Sequence, residues 1–172
     1  MKNFFINESA KHFKLLTNDT ISINGRTLYR IESIINFDHA KAGELGGYVE
    51  NVANIASANS WVADNAKVYG SVKISGLALV KGNAKVYGNA EISGRSVISG
   101  NANVYDNAKV SQNAKVYGNA KVYGNAKVSD NGQVYATSQL YGNAKVSQNA
   151  ELAGNSWVAG DTIVSGKEKR IK

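Results

Sequence analysis

Residues 113–130 read Asn113-Ala-Lys-Val-Tyr-Gly-Asn-Ala-Lys-Val-Tyr-Gly-Asn-Ala-Lys-Val-Ser-Asp130, and the six-residue period inside them decides the fold. The same period runs in both directions from this stretch. An aliphatic residue recurs at every sixth position from 62 to 164, beginning Val62, Val68, Ile74 and ending Leu152, Val158, Val164, with no insertion or deletion. Two positions before each aliphatic stands a small residue, usually alanine, such as Ala84, Ala102 or Ala126. Two or three positions after it come glycine and asparagine, as in Gly118-Asn119 and Gly142-Asn143. A short fixed period of this kind denotes a solenoid.

Six residues make one short strand and one corner. Residues two apart on a strand share a face, so the alanine and the aliphatic point inward together. The lysine between them and the tyrosine or serine that follows point outward. Glycine and asparagine are expected to form the corner, where positive φ is cheap for glycine and tolerated by asparagine. No single hexad can bury its apolar face alone, so the coils must stack. The outward position just after the aliphatic shows how many hexads make a coil. Tyr69, Tyr87, Tyr105, Tyr123 and Tyr141 are spaced by eighteen, and so are Ser75, Ser93, Ser111, Ser129, Ser147 and Ser165. The third series, Ala63, Lys81, Ser99, Tyr117, Tyr135 and Ala153, is mixed. Three hexads per coil build a triangular prism with a Tyr face, a Ser face and a mixed face. Six regular coils would span about 29 Å at the usual strand spacing.

These repeats resemble the hexapeptide-repeat family of left-handed parallel β-helices. The left hand is implied by the resemblance and not by the period. The expected class is therefore all-β: a left-handed parallel β-helix of about six regular 18-residue coils with a small N-terminal cap containing a hairpin. The chain divides into a cap over 1–48, the repeat helix over 49–166 and a basic tail over 167–172. Within the cap, Thr20-Ile-Ser-Ile23, Asn24-Gly25 and Arg26-Thr-Leu-Tyr-Arg-Ile31 spell a hairpin with a type I′ turn. Before it, Lys11 to Leu16 is readable as a short strand or as the end of a helix opened by Asn7-Glu8-Ser9. Gly43, Gly46 and Gly47 mark tight loop geometry before the first coil. Val49 and Ile55 begin two further hexads, and the seven-residue step from Ile55 to Val62 calls for a one-residue bulge. Taken together, Thr27-Leu-Tyr-Arg-Ile31, Lys41-Ala-Gly-Glu-Leu-Gly-Gly-Tyr-Val49 and Ser60-Trp-Val62 resemble phage and prophage-encoded hexapeptide-repeat proteins, whose chromosomal relatives are often labelled transferases. That resemblance covers essentially the whole chain and implies little about chemistry.

Trp61, Leu79 and Val97 form an outward apolar stripe on the first three coils of the mixed face, so the hairpin is expected to pack there. At the other end Trp157 and Ile163 are outward and apolar. They are candidates for a self-association surface, with the lysine-rich tail acting as the alternative guard against edge pairing.

Composition narrows the function. With no cysteine among 172 residues, thiol catalysis and thiolate metal sites are excluded. No apolar run approaches membrane-spanning length, and the N-terminal residues show no signal-peptide core, so a cytoplasmic location without membrane insertion is expected. The net charge of +7 favours an acidic protein or a nucleic acid as partner. Acyl-transferring members of the hexapeptide family use a histidine on the coils near an extruded loop. Here the only histidines are His12 and His39, both outside the regular ladder. No catalytic, metal or cofactor residue is assigned and no cofactor is expected. An acyltransferase with a site between subunits is the enzymatic alternative. What remains is surface. The candidate binding residues are Tyr69, Tyr87, Tyr105, Tyr123 and Tyr141 on one face, and Lys73, Lys109, Lys127 and Lys145 on the next. They could engage a protein or, with lysines tracking phosphates and tyrosines stacking on bases, a nucleic acid. The plain alternative is a soluble repeat surface with favourable cross-strand tyrosine pairs. The reading favoured is a non-catalytic rigid binding protein of phage or prophage type, engaging a host or phage complex, with inhibition of a host defence system as one expected role.

Overall fold

The computed structural model describes residues 12–172. The Asn7-Glu8-Ser9 segment lies outside them. The chain is a parallel β-solenoid of about seven 18-residue turns with a small antiparallel hairpin at its N-terminal side. Among the described residues the only helical element is a 3₁₀ turn at Val52–Asn54. Three sheets of nine, seven and six strands form the faces, and strands that neighbour in space are one coil apart in sequence. On the Tyr face, for example, Val86, Val104, Val122 and Leu140 are directly aligned. Parallel strands need a long connection, and here the other two faces of each coil provide it.

The inward columns do what the alternation requires. From Val62 to Val164 every ladder aliphatic is buried, and so are the alanines two positions earlier. The core is a stack of similar thin layers, most with a small and a branched residue per face.

Corners explain the glycines, with one correction. All eighteen residues two positions after a ladder aliphatic, from Asp64 to Gly166, take positive φ. None of them is asparagine; among the described residues only Asn24, in the hairpin turn, is an asparagine with positive φ. The ladder asparagines stand one position later and form side-chain ladders between coils. Asn89 donates to Asn107 at 3.1 Å, Asn107 to Asn125 at 3.2 Å and Asn125 to Asn143 at 3.1 Å. Several corners that are not glycine offset the left-handed strain with a bond to the next coil. The carboxylates of Asp64, Asp106 and Asp130 accept from the backbone N–H of Gly82, Gly124 and Gln148 at 2.8, 3.1 and 2.9 Å.

The first coil is out of step. Val49 aligns with Val68 and Ile55 with Ile74, nineteen residues apart, whereas Trp61 aligns with Leu79 at eighteen. The extra residue is taken up in a widened corner at 57–60 rather than in a strand bulge. There the Ser60 N–H and hydroxyl both donate to the Ser57 carbonyl, at 3.2 and 2.9 Å.

Strands β1 (Phe13–Ile23) and β2 (Arg26–Ser33) form the hairpin, with positive φ at both Asn24 and Gly25 as a type I′ turn demands. Their placement differs from the expectation. β2 pairs antiparallel with β3 (Leu45–Val49), which pairs in parallel with Lys67–Val68, so the hairpin prolongs the Tyr-face sheet instead of lying on the mixed face. The mixed-face stripe is covered only at its first rung. Trp61 is fully buried against the rings of His12, Phe13 and Phe37, while Leu79 and Val97 stay half-buried. Burial of one indole is worth several kilocalories, and the segments flanking the hairpin supply it. The tail also differs. Lys169–Ile171 pairs in parallel with Glu151–Ala153, and the Lys169 ammonium lies 2.7 Å from the Glu151 carboxylate. The basic tail thus joins the ladder as a strand.

Candidate binding faces

The sequence-designated tyrosines come together as one stack. Ring centroids from Tyr69 to Tyr141 are separated by 5.1, 4.8, 4.9 and 5.0 Å, with planes within 8° of parallel. This is the strand spacing itself, so the backbone dictates the stack. It also leaves no room for a base between the rings. A base slipped between two rings needs about twice the 3.4 Å stacking distance, and the rings are too close to admit one. The inner rings therefore offer edges and hydroxyls, and their π faces cover each other. Tyr69 is further enclosed by Leu28 and Tyr48, with Ile21 and Ile23 packed alongside. Burial, together with the neighbouring Tyr87 and Tyr123, pushes the Tyr105 phenol up to about 12. A shorter second stack, Tyr117 over Tyr135 at 4.8 Å, lies on the mixed face.

The lysines of the Ser face are brought together in part. Lys109, Lys127 and Lys145 are direct neighbours on adjacent parallel strands. Lys73 is separated from them by Glu91, which pairs with Lys109 at 3.0 Å. Lys127 and Lys145 have no ion pair among the described residues. Like charges directly opposite on adjacent strands are unfavourable, so this row stabilises nothing by itself. The column ends on Ile163, paired with Lys145 and 56% exposed. Trp157, on the Tyr face of the same coil, is 63% exposed. Ile171 is equally open, a position that sequence reasoning passed over because the tail was not read as a strand.

A second cluster of cations joins Lys67 and Lys85, aligned by the eighteen-residue period, to Arg30, which the period could not place. On the Tyr face Arg30, Tyr48, Lys67 and Lys85 occupy successive strands. The Arg30 guanidinium lies 4.4 Å from the centre of the Tyr48 ring and pairs with Asp19 at 3.1 Å. Burial, then the charges of Lys85 and Arg30, hold the Lys67 ammonium below its ordinary value. Beside it a groove of about 540 Å³ is lined by Arg26, Glu50, Tyr69, Ser71, Tyr87 and Asn89. Glu50 already accepts from Arg26 at 2.8 Å and from the Gly70 N–H at 2.6 Å. Although burial opposes it, these contacts lower the Glu50 carboxyl below its usual range. The charged groups of the groove satisfy each other.

Both histidines face backbone carbonyls, so Nε2 donates in each: His12 to Ser60 at 2.8 Å and His39 to Leu77 at 3.2 Å. They fasten the N-terminal segment to the first coils. Burial lowers the His12 pKa, the Ser60 contact opposing it only in part. The sign follows from linkage. The unfolded chain takes up the proton first, so the stability held above about pH 6.5 is lost as pH falls through the lower folded value. Acidification is expected to depress the unfolding temperature of the native chain more than that of a His12→Asn variant. Parallel pH profiles for the two proteins would remove His12 from this role.

Among the described residues no three or more His, Cys, Asp or Glu side chains converge as metal ligands, and no helix is long and apolar enough to cross a membrane. No protein-family model matches the chain, and no curated protein matches it significantly.

Proposed function

We propose that this chain is a rigid, non-catalytic binding protein whose working surface is the Ser face, and that its partner is an acidic protein. The observation that carries this reading is the in-register row Lys109, Lys127 and Lys145, two of whose members have no ion pair among the described residues. A solenoid holds such a row without paying for conformational change, because each rung is bonded to the coils on both sides. Electrostatic complementarity of this kind mainly raises the association rate and selects against wrong partners. The resemblance to left-handed hexapeptide-repeat proteins of phages supports a host or phage complex as the target and an inhibitory role, in the cytoplasm.

The test is affinity capture from host lysate, with and without nuclease, using the native chain and a Lys109→Glu, Lys127→Glu, Lys145→Glu variant as baits. A stoichiometric protein that survives nuclease and is lost with the variant supports the proposal. Capture that disappears with nuclease would transfer the face to nucleic acid. Equal capture by both baits would place the working surface elsewhere. Coenzyme A bound to the chain would favour the acyltransferase alternative.

A further inference from the structure

We infer that the Ser-face row and Ile163 form one continuous docking strip for an extended acidic protein segment carrying an apolar side chain at one end. This rests on the reading of the Ser face as the partner surface and specifies what lies on it. Lys109, Lys127, Lys145 and Ile163 occupy successive parallel strands in direct register. Four rungs extend about 14 Å at the usual strand spacing. Ser111, Ser129 and Ser147 run beside the lysines, half-buried, and offer hydroxyl donors to carboxylates.

The strip has direction. Toward the N-terminal coils it stops at Glu91, which repels a further acid and already occupies Lys109 from one side. Toward the C-terminal coils it runs onto Ile163, 56% exposed, with Trp157 of the same coil 63% exposed around the corner. It is also narrow. Asp106 and Asp130 stand at the corners on its two sides, their carboxylates held by the Gly124 and Gln148 N–H groups. A broad acidic surface would meet those carboxylates, whereas a single extended segment passes between them.

Protein is favoured over nucleic acid by two features. A phosphate backbone has no use for an isoleucine rung that continues the cation row. The neighbouring tyrosines, closed against each other at 4.8–5.1 Å, leave no room for a base between them. Tryptophan and aliphatic anchors beside charged rims are what protein partners use.

The experiment titrates the full chain, at low salt, with three probes followed by backbone amide NMR shifts. The first is a short glutamate peptide ending in leucine. The second is the same peptide ending in serine, and the third is an oligothymidylate of equal charge. The leucine peptide is expected to shift the rungs from Lys109 to Ile163 and to bind roughly tenfold more tightly than the serine peptide. Lys127→Glu with Lys145→Glu should abolish both, and Ile163→Ser should remove only the tenfold gain. All these residues are exposed, and an unchanged unfolding temperature confirms that the variants fold. Equal binding of the two peptides overturns the apolar rung and leaves the acidic-partner reading standing. No binding of either peptide overturns both. Tighter binding of the oligothymidylate overturns them in favour of nucleic acid. A concentration-dependent dimer in sedimentation, dissolved by Ile163→Ser, assigns the isoleucine to a second copy and overturns the strip.

Discussion

Gly47→Ala is expected to destabilise the junction between the hairpin and the ladder by about 3 kcal/mol, the upper part of the range for overpacking. A methyl group at Gly47 would lie 2.5 Å from the Ala66 carbonyl oxygen and 2.7 Å from a Val62 methyl. Neither neighbour can retreat. Ala66 O accepts the Tyr48 N–H at 2.8 Å, and Val62 belongs to the fully buried core. Gly46 is in the same position, its added methyl meeting the Val62 carbonyl at 2.5 Å, Ile31 at 2.6 Å and Trp61 at 2.7 Å. The damage should be local because contacts in a solenoid run mainly between neighbours. Hydrogen exchange is therefore expected to accelerate over 13–49 while the rungs from 104 to 146 remain protected. Native exchange over 13–49 in the variant would show that the close approach is no constraint.

Val116→Asp should cost more than about 4 kcal/mol, in the class of buried unpaired charges. Val116 is fully buried and aligned with Ile98 and Val134, and no cation faces that column. Its neighbour Lys115 is exposed on the same two-residue strand, so Lys115→Asp is the matched control and should change stability by a few tenths of a kilocalorie. Denaturant unfolding of the pair reads the period directly. Similar midpoints for the two variants would mean that the inward column has been misassigned.

The ladder was readable because its information is local. Val116 and Lys115 differ in burial for the same reason that they alternate in sequence, and eighteen-residue spacing of the tyrosines is enough to place their rings in one stack. The asparagine ladders were readable too, since identical side chains one coil apart must meet. What the stack could do was not. The period puts Tyr87 beside Tyr105, but only their separation of 4.8 Å shows that the π faces are closed. The break in the row of Ser-face lysines was legible, Glu91 standing between Lys73 and Lys109 at the eighteen-residue spacing, and the structure adds its 3.0 Å contact with Lys109.

Gly46 and Gly47 teach a different lesson. As part of a glycine cluster they read as a turn, yet neither has positive φ and both lie in β3. They are glycine because two backbones pass too closely for a Cβ, and closeness between residues 47 and 66 has no local signature. Arg30 was hidden for the same reason, since it reaches the Lys67 and Lys85 column from the hairpin, outside the eighteen-residue period.

By itself, then, the sequence determined the solenoid, its three faces, the number of residues per coil and the inward columns, because each hexad repeats one short-range pattern of burial and turn. The tertiary structure alone decided where the hairpin pairs, that Trp61 is sealed by His12, Phe13 and Phe37, and that the tail becomes a strand. Those outcomes depend on contacts between segments with no shared period, where the competing arrangements differ only in the surface they bury.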